Sequence, residues 1–459
     1  MATRFDVDGL RVLVVGAARS GVAAAELLVS RGARVTLTDV KNELPDERAL
    51  RNRGVSLDLG GHRPETFENA DLIVTSPGVP AGLADIVAAR ARGVTVIGEL
   101  ELASRWLRGP IVAITGTKGK STTTTLVGRM LEASGRRVLV GGNIGVPLSS
   151  QVEQSTVDTL HVVEASSFQL EATDTFHPWI AALLNVSPDH LDRHSSQAAY
   201  ELAKARIFVN QVEGDWAVVN RENDAAVRLV EHTRATVVGY ALDRQDTARF
   251  FADAGFIWQR TSEGETPLVP LEVVRVSGRH TLSNVVAATA ISRLAGAEAR
   301  SIARALTEFA GLEHVMEVVG TLGGVRFVND SKATNVDAAA RSIESFDRVV
   351  AIVGGRYKGG RLEELRGALA KHGRGVVAIG EARDRIRVAL AGVVPIVDAV
   401  GMPDAVRQGW EMAKPDGVVL LAPACSSFDM FADYADRGRR FKAEVRTLIE
   451  DAGDDAREP

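Results

Sequence analysis

Twice in this chain an apolar run breaks straight into a glycine-bearing turn that opens a helix, and few folds accept that order. Leu10–Val15 runs into Gly16-Ala17-Ala18-Arg19-Ser20-Gly21. Helical periodicity follows over Val22–Arg31, and the next apolar run, Arg34–Thr38, ends at Asp39. Ile111–Thr115 runs into Gly116-Thr117-Lys118-Gly119-Lys120-Ser121, and Thr122–Val127 continues as a helix. Strand, turn, helix and strand in that order build a mostly parallel sheet with helices on both faces. Further runs at Leu72–Thr75 and Val94–Ile97 complete a first unit, and those at Arg137–Val140, Leu160–Val163 and Ile180–Leu184 extend a second one after Gly109-Pro110. A third follows Gly311, with runs at Arg326–Val328, Val349–Val353, Val376–Ile379 and Val418–Leu421. The expectation is an α/β chain of three domains, in keeping with its 459 residues.

The second turn carries the chemistry. Amides of such a turn, with a helix N-terminus, favour a polyphosphate; Lys120 adds a mobile cation and the Ser121 hydroxyl can hold Mg²⁺. The spacing is Gly116-x-x-Gly119-Lys120-Ser121, shorter than the ordinary P-loop, and a chance surface turn is the competing reading. In the first turn Ala18 replaces the glycine that lets a backbone approach a dinucleotide pyrophosphate, so a different diphosphate fits better than a redox cofactor. Glu164 ends the run Leu160–Val163, where a Mg²⁺ ligand or a helix cap would both stand. Asn185 through His194 gathers two histidines and two aspartates, consistent with a metal or with a solvated loop. Lys204 alone reads as an exposed helix lysine. Asn329–Asn335, Gly354–Gly360 and Pro423–Asp429 follow apolar runs, the place where open α/β sheets hold ligands.

Composition closes off other classes. A net charge of −5 argues against a broad nucleic-acid surface, and a single cysteine, Cys425, excludes an internal disulfide or a cysteine zinc site. No apolar run reaches the ~18 residues of a membrane span, and the N-terminus lacks a signal core. The expectation is a cytoplasmic protein acting on small molecules.

Together these motifs resemble the Mur ligase family, from Gly16 to about Phe441, and the C-terminal segments Asn329–Asn335 and Pro423–Ser427 are similar to its D-glutamate-adding branch. Glu164–Glu171 and Asn185–Arg193 look like the family's second and third motifs, and Gly141-Gly142-Asn143-Ile144-Gly145 like its sugar-nucleotide loop. The resemblance implies a Rossmann-like UDP-binding domain over 1–98, a central P-loop-type ATPase domain over 99–312 and a Rossmann-like amino-acid-binding domain over 313–459. It implies ATP-dependent joining of D-glutamate to UDP-N-acetylmuramoyl-L-alanine through an acyl phosphate, in peptidoglycan precursor synthesis, by a monomer that binds neither nucleic acid nor membrane.

By the same resemblance Lys120, Glu164, His190 and Lys204 are catalytic. ATP falls to Gly116, Thr117, Lys118, Gly119, Lys120, Ser121, Thr122, Asn284, Asp330 and Lys332. One Mg²⁺ falls to Ser121 and Glu164, and a second to His190 with carbamylated Lys204 as bridge, which calls for a lysine of depressed pKa. The UDP substrate falls to Arg19, Ser20, Asp39, Lys41, Ser76, Gly78 and Asn143, and D-glutamate to Thr334, Lys358, Ser427 and Tyr434. Lys118, Thr281 and Val315 depart from the family pattern, all on the ATP side. A sibling ligase, such as a folate polyglutamate ligase, and a catalytically silent nucleotide-binding module are the alternatives.

Overall fold

The computed structural model describes residues 5–455 except 45, 190–192, 232, 276–278 and 358–360. It forms two compact units, Met1–Ala310 and Gly311–Pro459. The first unit holds two sheets. One is parallel throughout, with strands β1 (Arg11–Val15), β2 (Arg34–Asp39), β3 (Ser56–Leu59), β4 (Leu72–Thr75) and β5 (Thr95–Gly98) in the order β3-β2-β1-β4-β5. Pairing sets Val15 against Thr38 on one side and Thr75 on the other, so Gly16, Asp39 and Ser76 emerge at one edge. The helix Arg19–Ser30 buries Ala24, Ala25 and Leu28 against this sheet, while Leu27 joins the core under the second sheet. A Cβ on Gly21 would stand 1.8 Å from the Gly16 carbonyl oxygen, so only glycine lets the helix start so close to the turn.

The second sheet has nine strands: β6 (Ile111–Thr115), β7 (Arg137–Gly142), β8 (Thr159–Glu164), β9 (Ile180–Leu183), β10 (Trp216–Asn220), β11 (Thr236–Tyr240), β12 (Phe250–Asp253), β13 (Phe256–Thr261) and β14 (Gly264–Pro270). They lie in the order β14-β13-β12-β11-β10-β9-β6-β8-β7. Its centre is parallel and buried on both faces, which is why β6 is apolar through Ile111–Ile114 and β8 nearly so, broken only by the buried His161. Ile114 pairs with Glu164 and with Ala182, which brings the phosphate turn, Glu164 and Asn185 to one edge. Strands β10 and β11 and the antiparallel extension β12–β14 add to the runs expected from sequence, as β3 does in the first sheet. The β12–β13 link is the pair Ala254-Gly255, both at positive φ, as a two-residue hairpin turn of right-handed twist requires.

Glu101 joins the two sheets of this unit. Fully buried in the helix Glu99–Ser104, its carboxylate accepts the backbone amides of Asp174, Thr175 and Phe176, the Thr175 hydroxyl and Arg105 Nε. Burial by itself raises the pKa of this acid, but the Thr175 hydroxyl, the Asp174 amide and Arg105 outweigh it and hold it below the ordinary value.

The second unit carries β15 (Glu317–Leu322), β16 (Val325–Asn329), β17 (Val349–Gly354), β18 (Gly373–Ile379), β19 (Ile396–Asp398) and β20 (Val418–Ala424) in the order β15-β16-β20-β17-β18-β19. All pairs but β15–β16 are parallel. Asn329 and Ile352 both align with Leu421, so the loops after β16, β17 and β20 share an edge.

Candidate active site

The phosphate turn of the first unit is built from two directions. Gly119, at φ 80°, precedes the helix Lys120–Ala133, and a Cβ there would lie 2.1 Å from Asn284 Oδ1. Asn284 therefore packs directly against the left-handed residue that leads into the helix. From the other side Asn185 grips both faces of one residue: its Oδ1 accepts the Lys118 amide at 2.9 Å and its Nδ2 donates to the Lys118 carbonyl at 3.1 Å. The Thr117 amide donates to the Asn185 carbonyl, and the Thr117 hydroxyl lies 3.0 Å from Tyr200 Oη. Burial pushes the Tyr200 phenol up to about 12.

Lysines crowd this turn. Lys120 Nζ donates to the carbonyls of Gly116 at 2.8 Å and Thr117 at 3.0 Å. Lys204 Nζ donates to the same Gly116 carbonyl at 2.9 Å and sits 4.6 Å above the Tyr200 ring. The exposed-lysine reading of Lys204 is wrong: the helix Gln197–Ala205 turns it inward, and its relative exposure is 1%. Burial, then repulsion from Lys120, lowers its pKa to about 6, with Asp189 and Glu164 pulling the other way. Near neutral pH this amine is therefore largely uncharged.

Glu164 ends β8 and is buried. Its Oε1 accepts Asn143 Nδ2 at 2.7 Å, while Oε2 is buried without a hydrogen-bond partner. A carboxylate oxygen shut away from water in that state is suited to a cation. Ser121 and Thr122 occupy the first turn of the helix that follows. Among the described residues no three His, Cys, Asp or Glu side chains form a metal cage. An oxygen set of hydroxyl and carboxylate completed by ligand oxygens suits Mg²⁺ rather than zinc. His190 lies outside the described residues. His194, from the same loop, is buried between Ser167 Oγ (3.0 Å) and Glu171 Oε1 (3.0 Å) and stacks on Phe168, so it is a packing residue.

The first turn is filled differently. Asp39 accepts the Ala17 amide at 2.6 Å and the Lys41 amide at 2.9 Å, and Ser76 Oγ donates to the Gly16 carbonyl at 2.8 Å. Arg19 reaches from the helix start to the Gly145 carbonyl at 2.6 Å, tying this turn to the loop that carries Asn143. Ser20 stands in the first helical turn, Lys41 is exposed, and the Gly78 carbonyl accepts Arg193 Nη1 at 3.3 Å.

In the second unit Asp330, Lys332, Thr334, Ser427 and Tyr434 all lie on or beside the loops after β16 and β20. Asp330 is buried, accepts the Met316 amide and the Ser342 hydroxyl, and burial raises its pKa. Ser427 is buried and Tyr434 exposed. Lys358 lies outside the described residues. Val315 sits between His314 and Met316, both at positive φ, and Thr281 lies in the helix Arg279–Leu294. Asn185, Tyr200 and Glu101 were not singled out from sequence, because their roles arise only from long-range packing.

Comparison with known proteins agrees with this geometry. The family model for the Mur ligase MurD-like N-terminal domain matches residues 10–98, the Mur ligase middle domain 114–292, and the Mur ligase glutamate ligase domain 316–425. The UDP-N-acetylmuramoylalanine–D-glutamate ligase of Acidobacterium capsulatum is 43% identical over 95% of this chain and 96% of its own. That of Koribacter versatilis is 41% identical over 97% of this chain and 99% of its own. Among solved structures, UDP-N-acetylmuramate–alanine ligase from Thermotoga maritima superposes with a TM-score of 0.58 at 18% identity, covering 96% of this chain and 100% of that one, a likeness of fold. With identity near 40% along nearly its whole length, the chain belongs to the Mur ligase family.

Proposed function

We propose that this protein joins D-glutamate to UDP-N-acetylmuramoyl-L-alanine with ATP, a step of peptidoglycan precursor synthesis. The observation that carries the reading is the 43% identity, over 95% of the chain, to a protein named for that reaction. The domains follow as 1–98 for the sugar nucleotide, 99–312 for ATP and 313–459 for the amino acid, in a cytoplasmic monomer. No described helix is long and apolar enough to cross a membrane.

The substrate carboxylate oxygen attacks the γ-phosphorus of ATP, the bond to ADP breaks, and an acyl phosphate forms. The D-glutamate nitrogen then bonds to the acyl carbon, loses a proton, and inorganic phosphate leaves. A free carboxylate would have to expel an oxide, which is why the phosphoryl group is needed. Lys120, resting on the Gly116 and Thr117 carbonyls, is the cation beside the transferring group. Gly116–Thr122, Asn284, Asp330 and Lys332 bind ATP. Arg19, Ser20, Asp39, Lys41, Ser76, Gly78 and Asn143 bind the sugar nucleotide, and Thr334, Lys358, Ser427 and Tyr434 bind D-glutamate.

Ser121 and Glu164 would hold one Mg²⁺, consistent with the unpartnered Glu164 Oε2, and His190 with carbamylated Lys204 a second. Bound Mg²⁺ supplies neutralisation of phosphate charge. A buried neutral amine at Lys204 suits carbamylation: its nitrogen bonds to the carbon of CO₂ and releases a proton, turning a would-be cation into an oxygen ligand. The test supplies substrate labelled with oxygen-18 in the acceptor carboxylate, with ATP, Mg²⁺ and D-glutamate. One labelled oxygen is expected in phosphate per amide formed. No D-glutamate-dependent phosphate release would overturn the reading.

A further inference from the structure

Among the described residues the largest fully buried side chain is a cation, Arg437, in the helix Tyr434–Asp455. Its guanidinium lies beneath the shared edge of the second unit's sheet and donates to all three loops there. Nε gives to Ser331 Oγ at 3.0 Å and Nη2 to the Ser331 carbonyl at 2.9 Å. Nη1 gives to the Cys425 carbonyl at 3.1 Å and the Gly354 carbonyl at 3.5 Å. Ser331 Oγ in turn donates to the Tyr434 carbonyl at 2.7 Å, closing the network on the helix start. Every acceptor is a carbonyl or a hydroxyl, and none is a carboxylate. Asp429 is the acidic group that bears on it, and it acts through space without contact.

A planar fork with five donors is the one side chain that can hold three separate backbone segments at fixed spacing, and its charge cannot be shed near neutrality. The loops it holds are also laced to one another. The Arg356 and Ser426 amides exchange hydrogen bonds with each other's carbonyls, at 2.9 and 3.1 Å, and the Ala424 amide donates to the Ala333 carbonyl at 3.0 Å. A Cβ on Gly355 would lie 2.1 Å from the Ser426 carbonyl oxygen, so these loops are drawn as close as glycine allows. Burying an uncompensated cation is unfavourable unless an anion joins it. Ser427 directly follows the laced pair, and Thr334 and Tyr434 flank the loops that Arg437 ties.

We propose that Arg437 is the positioning residue of the acidic amino-acid site: it fixes the loops after β16, β17 and β20 in one arrangement and leaves beneath them a buried positive charge that a dicarboxylic amino acid answers. The inference deepens the function proposed above and rests on it for the identity of that amino acid.

The test compares wild type with Arg437→Lys, which keeps the charge and loses the fork. Hydrogen exchange of the Arg356, Ala424 and Ser426 amides should quicken about tenfold in the variant, with β17 amides unchanged as proof of folding. The KM for D-glutamate should rise about tenfold, the loss of one charge-assisted hydrogen bond, while the KM values for ATP and the sugar nucleotide hold within about twofold. If Arg437→Lys does not fold, Ser331→Ala removes one acceptor and leaves the guanidinium; about a threefold rise in the D-glutamate KM is then expected. Unchanged exchange at the three amides, or KM values for all three substrates rising together, would overturn the proposal. Should wild type add no D-glutamate at all, the functional reading fails, and the exchange measurement still decides whether Arg437 fixes the loops.

Discussion

The turns after β1 and β6 share one grammar, apolar strand into glycine into helix, yet the protein fills them with opposite charge. The first is occupied by its own anion: the Asp39 carboxylate takes the Ala17 and Lys41 amides. The second is occupied by its own amines, the Lys120 cation and the neutral Lys204 nitrogen both donating to the Gly116 carbonyl. A turn whose donors are already met by a fixed carboxylate is a shaped wall. One whose carbonyls carry two lysine nitrogens beside an unpartnered carboxylate oxygen suits, on the function proposed above, a polyphosphate and a divalent ion. Strand–turn–helix motifs therefore say where a ligand can sit, and the side chains that settle on the turn say what kind.

The contrast can be broken most severely at Lys120. Lys120→Ala should cut kcat roughly 10³-fold, the scale of losing a preorganised charge at the reacting group, with melting temperature near wild type. An equal loss from Asp39→Asn would erase the distinction between the two turns.

Lys204 comes next. Lys204→Ala should lose about 10²-fold in kcat and regain part of it with a short carboxylic acid, which restores an oxygen ligand without the tether. Full activity without the acid would remove the carbamate from the account.

The same residue sharpens the comparison through stability. Its folded pKa, about 6, lies below the ordinary 10.5. Between those values the unfolded chain holds a proton that the folded one lacks, so wild-type stability rises with pH across that window and is lowest below pH 6. Lys204→Met should be more stable than wild type near pH 7, and its unfolding free energy should climb less steeply with pH, by about 1.4 kcal/mol per unit. Chemical denaturation at several pH values measures the difference, and parallel curves would contradict it.

The smallest effect belongs to the first turn. Asp39→Asn keeps the shape but weakens two charge-assisted amide bonds, so about 1–2 kcal/mol of stability should go, with a rise in the sugar-nucleotide KM and none in that for ATP. Calorimetry with steady-state kinetics separates the two.

The strands that position these turns were legible because parallel, doubly covered strands are apolar along their length, as at Val12–Val15, Ile111–Ile114 and Val349–Val353. The β12–β14 extension was not: Gln259 on one face of β13, and Arg260 with its partner Glu265 on the other, are only partly buried and interrupt the apolar pattern on both faces. The phosphate turn and Glu164 announced themselves through local spacing. Lys204 was legible only as a resemblance, since its own neighbours describe a surface helix and its burial comes from Tyr200 and a turn eighty-eight residues away. Asn185, visible only as the start of a motif, and Arg437 kept their roles hidden for the same reason: an amide or a guanidinium declares its role only once distant backbone groups converge on it.

Glu101 has a consequence for handling the protein. Its carboxylate behaves as a piece of backbone, answering three successive amides of the loop that leads into β9. Because its folded pKa lies below 4.5, its contribution is whole above that value and drains away as acid titrates it through the lower one. The N-terminal unit thus has an acid-labile seam. Acidification below pH 4.5 should expose the chain near Asp174–Phe176 to proteases before either sheet melts, a chemical means of loosening a loop that neutral buffer keeps stitched.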